Sequence, residues 1–176
     1  MKKMTIDNAH SEIGFKVKHL MISTVKGNFQ TFSGGMDENG KLTVSMNVNS
    51  INTGSIDRDN HLKAADFFNV DETPTIDFTA TVNDMTSESI TGEITIKGIT
   101  KEITLTSEYN GTSMDPWGNT KHGWEITGSI NRNDFGLVWN APLETGGVLV
   151  SDEVKLNIDV QMMEVNEEEM ITESQN

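Results

Sequence analysis

The chain has 176 residues, no cysteine, and 27 Asp and Glu against 13 Lys and Arg, for a net charge of −14. This is the length of one domain, and it excludes disulfides, thiolate catalysis and thiolate metal sites. The charge opposes binding to nucleic acid or to an anionic membrane surface, because both need clustered cations.

Twenty threonines, 15 isoleucines and 12 valines stand against five alanines and eight leucines. Branched side chains lose freedom in helices and pack well on pleated sheets, so this composition predicts an all-β protein. In chain order, two lysines open the sequence without an apolar run behind them. A secretory signal needs about 7–15 apolar residues there, so the expected location is the cytoplasm. Ile13, Phe15 and Val17 then alternate with polar residues and predict the first strand. A short turn is expected over Leu20–Thr24, and a second strand near residues 25–35. Asn39-Gly40 predicts a hairpin into a third strand over residues 41–50. Residues 57–68 do not alternate, hold two of the five alanines, and predict a short helix. Strands follow on Ile76–Val82, Ile90–Ile96, Ile103–Leu105, Trp124–Ile130 and Val154–Met162, about eight in all. Gly98 marks a tight hairpin, while Asn110-Gly111 and Pro116-Trp117-Gly118 are expected to open a longer loop. Residues 164–176 are acidic and read as a disordered tail beyond a domain of residues 1–163. Strands with one apolar and one polar face fit either a packed sandwich or a closed barrel able to hold a ligand.

Chemistry-bearing motifs are sparse. His10, His19, His61 and His122 show no metal-ligand spacing, so neither a metal nor another cofactor is expected. Asp134-Phe135-Gly136 copies a kinase tripeptide without the other kinase motifs. The two arginines, Arg58 and Arg132, are either loop anchors reaching a neighbour such as Asp59 or Asp134, or polar handles at a pocket mouth.

Several short stretches together resemble the YceI-like polyisoprenoid-binding proteins of bacteria. They are Ile6–Phe15 with His19, Arg58–Lys63 with Phe67-Phe68, Gly92–Thr100, Gly123-Trp124, Ile130–Leu137 and Asp152-Glu153-Val154. The resemblance spans about residues 4–162. Lys121 and Ser151 depart from it, standing where Arg and Gly would be expected. It implies an eight-stranded antiparallel lipocalin-like barrel with a short helical element, whose interior holds a polyisoprenoid, quinone or fatty amide without catalysis. A homodimer is a family-level expectation.

With that fold, the expected wall is Phe15, Val17, Phe29, Val44, Met46, Val48, Phe78, Ala80, Ile94, Ile96, Leu105, Trp124, Ile126, Leu156 and Ile158. Ala80, the smallest of them, is expected to face open space. The mouth candidates are Arg58, His61, Arg132, Trp139 and Asn140. Two other readings are a packed β-domain that binds a protein partner as a stress-response accessory, and an enzyme on a lipocalin-like scaffold. The second needs convergent titratable residues on the inner face, where the alternation places mainly apolar ones.

Overall fold

The computed structural model describes residues 1–141, 143 and 148–166. Eleven strand segments form one antiparallel sheet that closes on itself. They are β1 (Met4–Ile6), β2 (Glu12–His19), β3 (Ser23–Phe29), β4 (Phe32–Met36), β5 (Lys41–Asn47), β6 (Ile51–Asn52), β7 (Thr75–Thr81), β8 (Ser89–Ile96), β9 (Ile99–Met114), β10 (Thr120–Asn131) and β11 (Val150–Glu164). The helix α1 covers Ile56–Lys63. The expected barrel is present, and the sandwich is not.

Eleven segments reduce to eight walls because three walls are broken. A 3₁₀ turn at Asn8–His10 divides β1 from β2, and both still pair with β11. Residues Gln30 and Thr31 divide β3 from β4, which pair with β2 and β1 respectively. A 3₁₀ turn at Val48–Ser50 divides β5 from β6. Each wall pairs with its sequence neighbour, and β11 returns to β1 and β2 to close the ring. Closure leaves no long free edge for another chain to pair with.

Local chemistry explains the breaks and turns. The Asn47 side chain accepts from the Asn49 amide and ends β5. At the β8–β9 turn Lys97 and Gly98 both take positive φ, +52° and +76°. Asn110-Gly111 does not open a loop. It lies within β9 as a bulge opposite Gly123 and Trp124, with Gly111 at φ +105°, and the strand runs on to Met114. An extra residue of this kind bends a strand without ending it. The helix is also shorter than expected, because Ala64 leaves helical conformation.

The closure seam needs close backbone approach. A Cβ placed on Gly35 would lie 2.3 Å from the Met4 carbonyl oxygen and 3.2 Å from Thr5 Cα. Gly35→Ala should therefore push β1 off β4 and cost about 1–3 kcal/mol. An unchanged melting temperature would show that the seam has slack.

The base of the barrel, opposite α1, is tied by ion pairs. Asp7 accepts from Lys121 Nζ at 2.6 Å and pairs with His10 at 2.8 Å. Glu164 pairs with His122 Nε2 at 2.9 Å and Lys2 Nζ at 3.0 Å. Glu164 thus ends β11 inside the domain, and the domain boundary falls beyond it. Residues 167–176 of the expected tail lie outside the described residues. The hydrogen bond from Lys121 chiefly holds Asp7 below its usual pKa, against some desolvation. The bond with His122 does the same for Glu164. Depressed carboxylates stabilise the fold above their ordinary pKa and lose that contribution as pH falls through the depressed one. Melting should be flat above about pH 5 and fall below about pH 4. Asp7→Asn and Glu164→Gln should each lower the plateau and flatten the acid limb; an unaltered limb would place the acid sensitivity elsewhere.

Candidate functional site

A cavity of about 280 Å³ runs inside the barrel, lined almost wholly by apolar side chains. Alternation builds it. Phe15 and Val17 of β2, Val44 and Met46 of β5, Ile94 and Ile96 of β8, and Ile126 and Ile130 of β10 all turn inward and line it. Phe15, Val44, Ile126, Leu156 and Ile158 line the cavity but remain only half-buried. An inward apolar side chain keeps that much free surface because the space before it is not filled by protein.

Of the expected wall, Phe15, Val17, Phe29, Val44, Met46, Phe78, Ile94, Ile96, Leu105, Trp124, Ile126, Leu156 and Ile158 border the cavity. Val48 and Ala80 do not. Val48 follows the Asn47 cap, so its strand alternation has ended; it is 1% exposed, and its amide donates to the Pro74 carbonyl. Ala80 is buried beside Leu42 and Gly92. The Phe78 ring lies over Gly92, where a Cβ would come within 2.6 Å of Phe78 Cζ and 2.8 Å of Ala80 Cβ. The space that a small residue would leave is taken by that ring.

The helical end carries the polar groups. Ser55 caps α1 by accepting from the Arg58 amide, which sets the helix across the β6 end of the barrel. Arg58 is exposed and donates from Nε to Thr53 Oγ1 and from Nη2 to the Thr53 carbonyl, both at 2.7 Å. Asp59 does not meet it; its carboxylate accepts from Thr53 instead. A guanidinium has five N–H groups, so three of Arg58's remain for a ligand. His61 pairs with Asp66 at 3.0 Å and packs edge-on against Trp139, ring centroids 4.8 Å apart.

Arg132 borders the cavity but its donors are committed. Nε donates to the Ser151 carbonyl, Nη1 to the Leu137 and Trp139 carbonyls, and Nη2 to the Val150 carbonyl. Asp152 is 3.9 Å away, and Asp134 is not among its partners. One N–H is left, so the side chain works chiefly as a loop anchor. Asn140 does not reach the cavity; its amide is spent on both backbone groups of Val150.

Sequence alternation missed an aromatic series at this end. Phe15, Phe29, Phe68 and Phe67 follow one another with centroids 5.7, 6.4 and 6.1 Å apart, and Phe67 lies 6.2 Å from Trp139. Phe67 and Phe68 come from the irregular segment after α1, where no period could place them. Ser107 was also missed. It continues the Ile103–Leu105 alternation, borders the cavity, and its buried hydroxyl has no hydrogen-bond partner among the described residues. Among the described residues no cluster of His, Asp and Glu has metal-binding geometry, and no helix is long and apolar enough to span a membrane.

The YceI-like domain pattern matches residues 4–162 of the sequence. The chain belongs to the YceI-like family. It is 40% identical over 168 residues to the UPF0312 protein SA2479 of Staphylococcus aureus, covering 92% of this chain and 97% of that one. Among solved structures, the Campylobacter jejuni YceI protein is 37% identical with a TM-score of 0.71, covering 91% of this chain and 96% of that one. A polyisoprenoid-binding domain from Saccharophagus degradans, implicated in plant cell wall breakdown, shares the fold at a TM-score of 0.71. It is 15% identical, with 94% of this chain and 100% of that one covered. In this YceI-like barrel the family stretch Arg58–Lys63 lies within α1, and Ile130–Leu137 holds the Arg132 anchor. Lys121, the departure near Gly123-Trp124, is the partner of Asp7, a residue of the first family stretch.

Proposed function

We propose that this protein binds and carries a long-chain apolar lipid inside the barrel and performs no chemistry on it. The observation that carries this reading is the cavity with half-buried apolar walls. Burying a chain gains about 0.8 kcal/mol per CH₂, which exceeds the ordering costs for a chain of some twenty carbons. The polyisoprenoid-binding neighbour shares this fold and supports a prenyl or comparable chain as cargo. The titratable groups that border the cavity are divided between its ends, with Lys18, His19, Arg58, His61 and Arg132 at one and Asp84 at the other. Arg58, His61, Arg132 and Asp84 are engaged with protein partners, which favours binding over catalysis.

The direct test is extraction of the purified protein with organic solvent and mass spectrometry of the extract. A long-chain lipid at near-stoichiometric amount is expected. An empty protein that also takes up no long-chain lipid would sink the reading.

Arg58, with three free N–H groups, is the group placed to meet a polar head. Arg58→Lys should weaken a pyrophosphate-bearing prenyl chain by about ten-fold, because the fork is lost while the charge stays, and leave a neutral fatty amide within about two-fold. Equal weakening of both, in step with lost stability, would make Arg58 only an anchor for Thr53.

A further inference from the structure

The turn joining β2 to β3 is built from Leu20, Met21 and Ile22, which are 38%, 61% and 84% exposed. Leu20 and Met21 take φ of +54° and +60°. L-residues avoid this conformation, and Asn or Gly adopts it at lower cost. Two large apolar side chains are therefore held in water on a backbone that disfavours them. Strain kept at an exposed tip points to use of that tip.

The outer faces of the adjoining strands hold a second costly feature. Lys16 lies directly opposite Lys26 across the β2–β3 pair and opposite Lys155 across the β2–β11 pair. Lys18 lies one step nearer the tip, its Nζ on the Thr24 hydroxyl. Among the described residues, no carboxylate comes within ion-pair distance of Lys16, Lys26 or Lys155. The acids nearest in strand register are Asp152 and Glu153 on β11, between the tip and Lys155, and, toward the far end of β2, Glu12 and Asp159. Like charges directly opposite each other destabilise a strand pair. In a chain of net charge −14 with only 13 cations, four of them gather beside one apolar tip.

The strands just below the tip reach the cavity. Lys18, His19 and Val25 border it from the same hairpin.

We propose that this end of the barrel docks on an anionic lipid surface. The tip seats at the acyl boundary and the lysines lie against the head groups. The charge of the whole chain opposes such binding, so the contact must be made through the lysine row and the apolar tip. Two copies meeting through this end would bring two lysine rows together, which disfavours a second copy as the occupant. The inference deepens the carrier reading, since it sets the cavity rim against a reservoir of long-chain lipid.

The test is co-sedimentation of the full chain with vesicles at low salt. Vesicles of equal parts phosphatidylcholine and phosphatidylglycerol should carry the protein down; vesicles of phosphatidylcholine alone should not. Added salt should weaken the binding. Each lysine near an anionic surface is worth about five-fold, so the Lys16→Gln/Lys26→Gln/Lys155→Gln variant should bind on the order of a hundred-fold more weakly. Lys41→Gln, the same charge change per residue at the opposite end, should leave binding nearly intact. Leu20→Asn/Met21→Gly gives the turn residues it prefers. It should melt at or above the parent and still lose roughly ten-fold in vesicle binding.

A parent chain that ignores the mixed vesicles overturns the proposal, as does undiminished binding by the tip and triple-lysine variants. Conversion of a dimer to a monomer by the tip variant, with no vesicle binding, would assign the surface to contact between copies. A protein that binds vesicles but yields no lipid on extraction and takes up no long-chain lipid keeps the docking and removes the carrier reading. The reverse result keeps the carrier and removes the docking.

Discussion

Arg132→Ala is expected to cost about 3–5 kcal/mol, because each buried acceptor left without its donor costs about 1–3 kcal/mol and four neighbouring ones add less than fully. The side chain is 2% exposed, and four carbonyls from Leu137, Trp139, Val150 and Ser151 converge on it. Without the guanidinium, these acceptors lose their donor in a place that water reaches poorly. The segment that carries Trp139 to the cavity would keep its tie to β11 through Asn140 but lose the one through Arg132. For a chain of this length the loss corresponds to a melting temperature lower by roughly 6–20 °C. Arg132→Lys should recover less than half of it, because one ammonium cannot serve four acceptors set around a planar fork. A fall under about 3 °C would show that the carbonyls find other donors.

Filling the cavity should separate folding from binding. Ile126 faces inward on β10, borders the cavity and is half-buried. Ile126→Trp places an indole in space that a bound chain would take. The variant should fold with a stability within about 1 kcal/mol of the empty parent, and its lipid content should fall by ten-fold or more. Ala80→Trp is the matched contrast. Its surroundings are occupied by the Phe78 ring and Leu42, so it should overpack and cost about 1–3 kcal/mol or more. Thermal melting with solvent extraction reads both effects. Ile126→Trp retaining a full complement of lipid would mean that the chain does not pass this level of the barrel.

Most of the strand order was legible because one face of each strand is apolar and the period is strict. Val44 and Met46, or Ile94 and Ile96, could be placed inside from alternation alone. Closure was not legible that way, since a sandwich and a barrel share the same alternation; the family resemblance decided it. Alternation failed where the backbone left the pleat. At Val48 the Asn47 cap had already ended the strand. At Asn110-Gly111 a turn dipeptide served as a bulge, because the strong pairing of β9 with β10 overrode the local preference. Ala80 failed for another reason: size alone does not reveal a void when a neighbouring ring can lie across it. The roles of Arg58 and Arg132 differ through partners far along the chain, such as Val150 and Ser151, which no local pattern contains.

The order in which the walls pair bears on the making of the protein. Seven of the eight joints link sequence neighbours, but the last joins β11 to β1 and β2, across some 150 residues. Hairpins between sequence neighbours need only short loops, while the closing joint must wait for residues 150–164. Until then the inner face of every wall is open to its surroundings. A chain that has paired its hairpins but not closed would present its apolar lining as an open trough, the form in which that lining is most prone to aggregation.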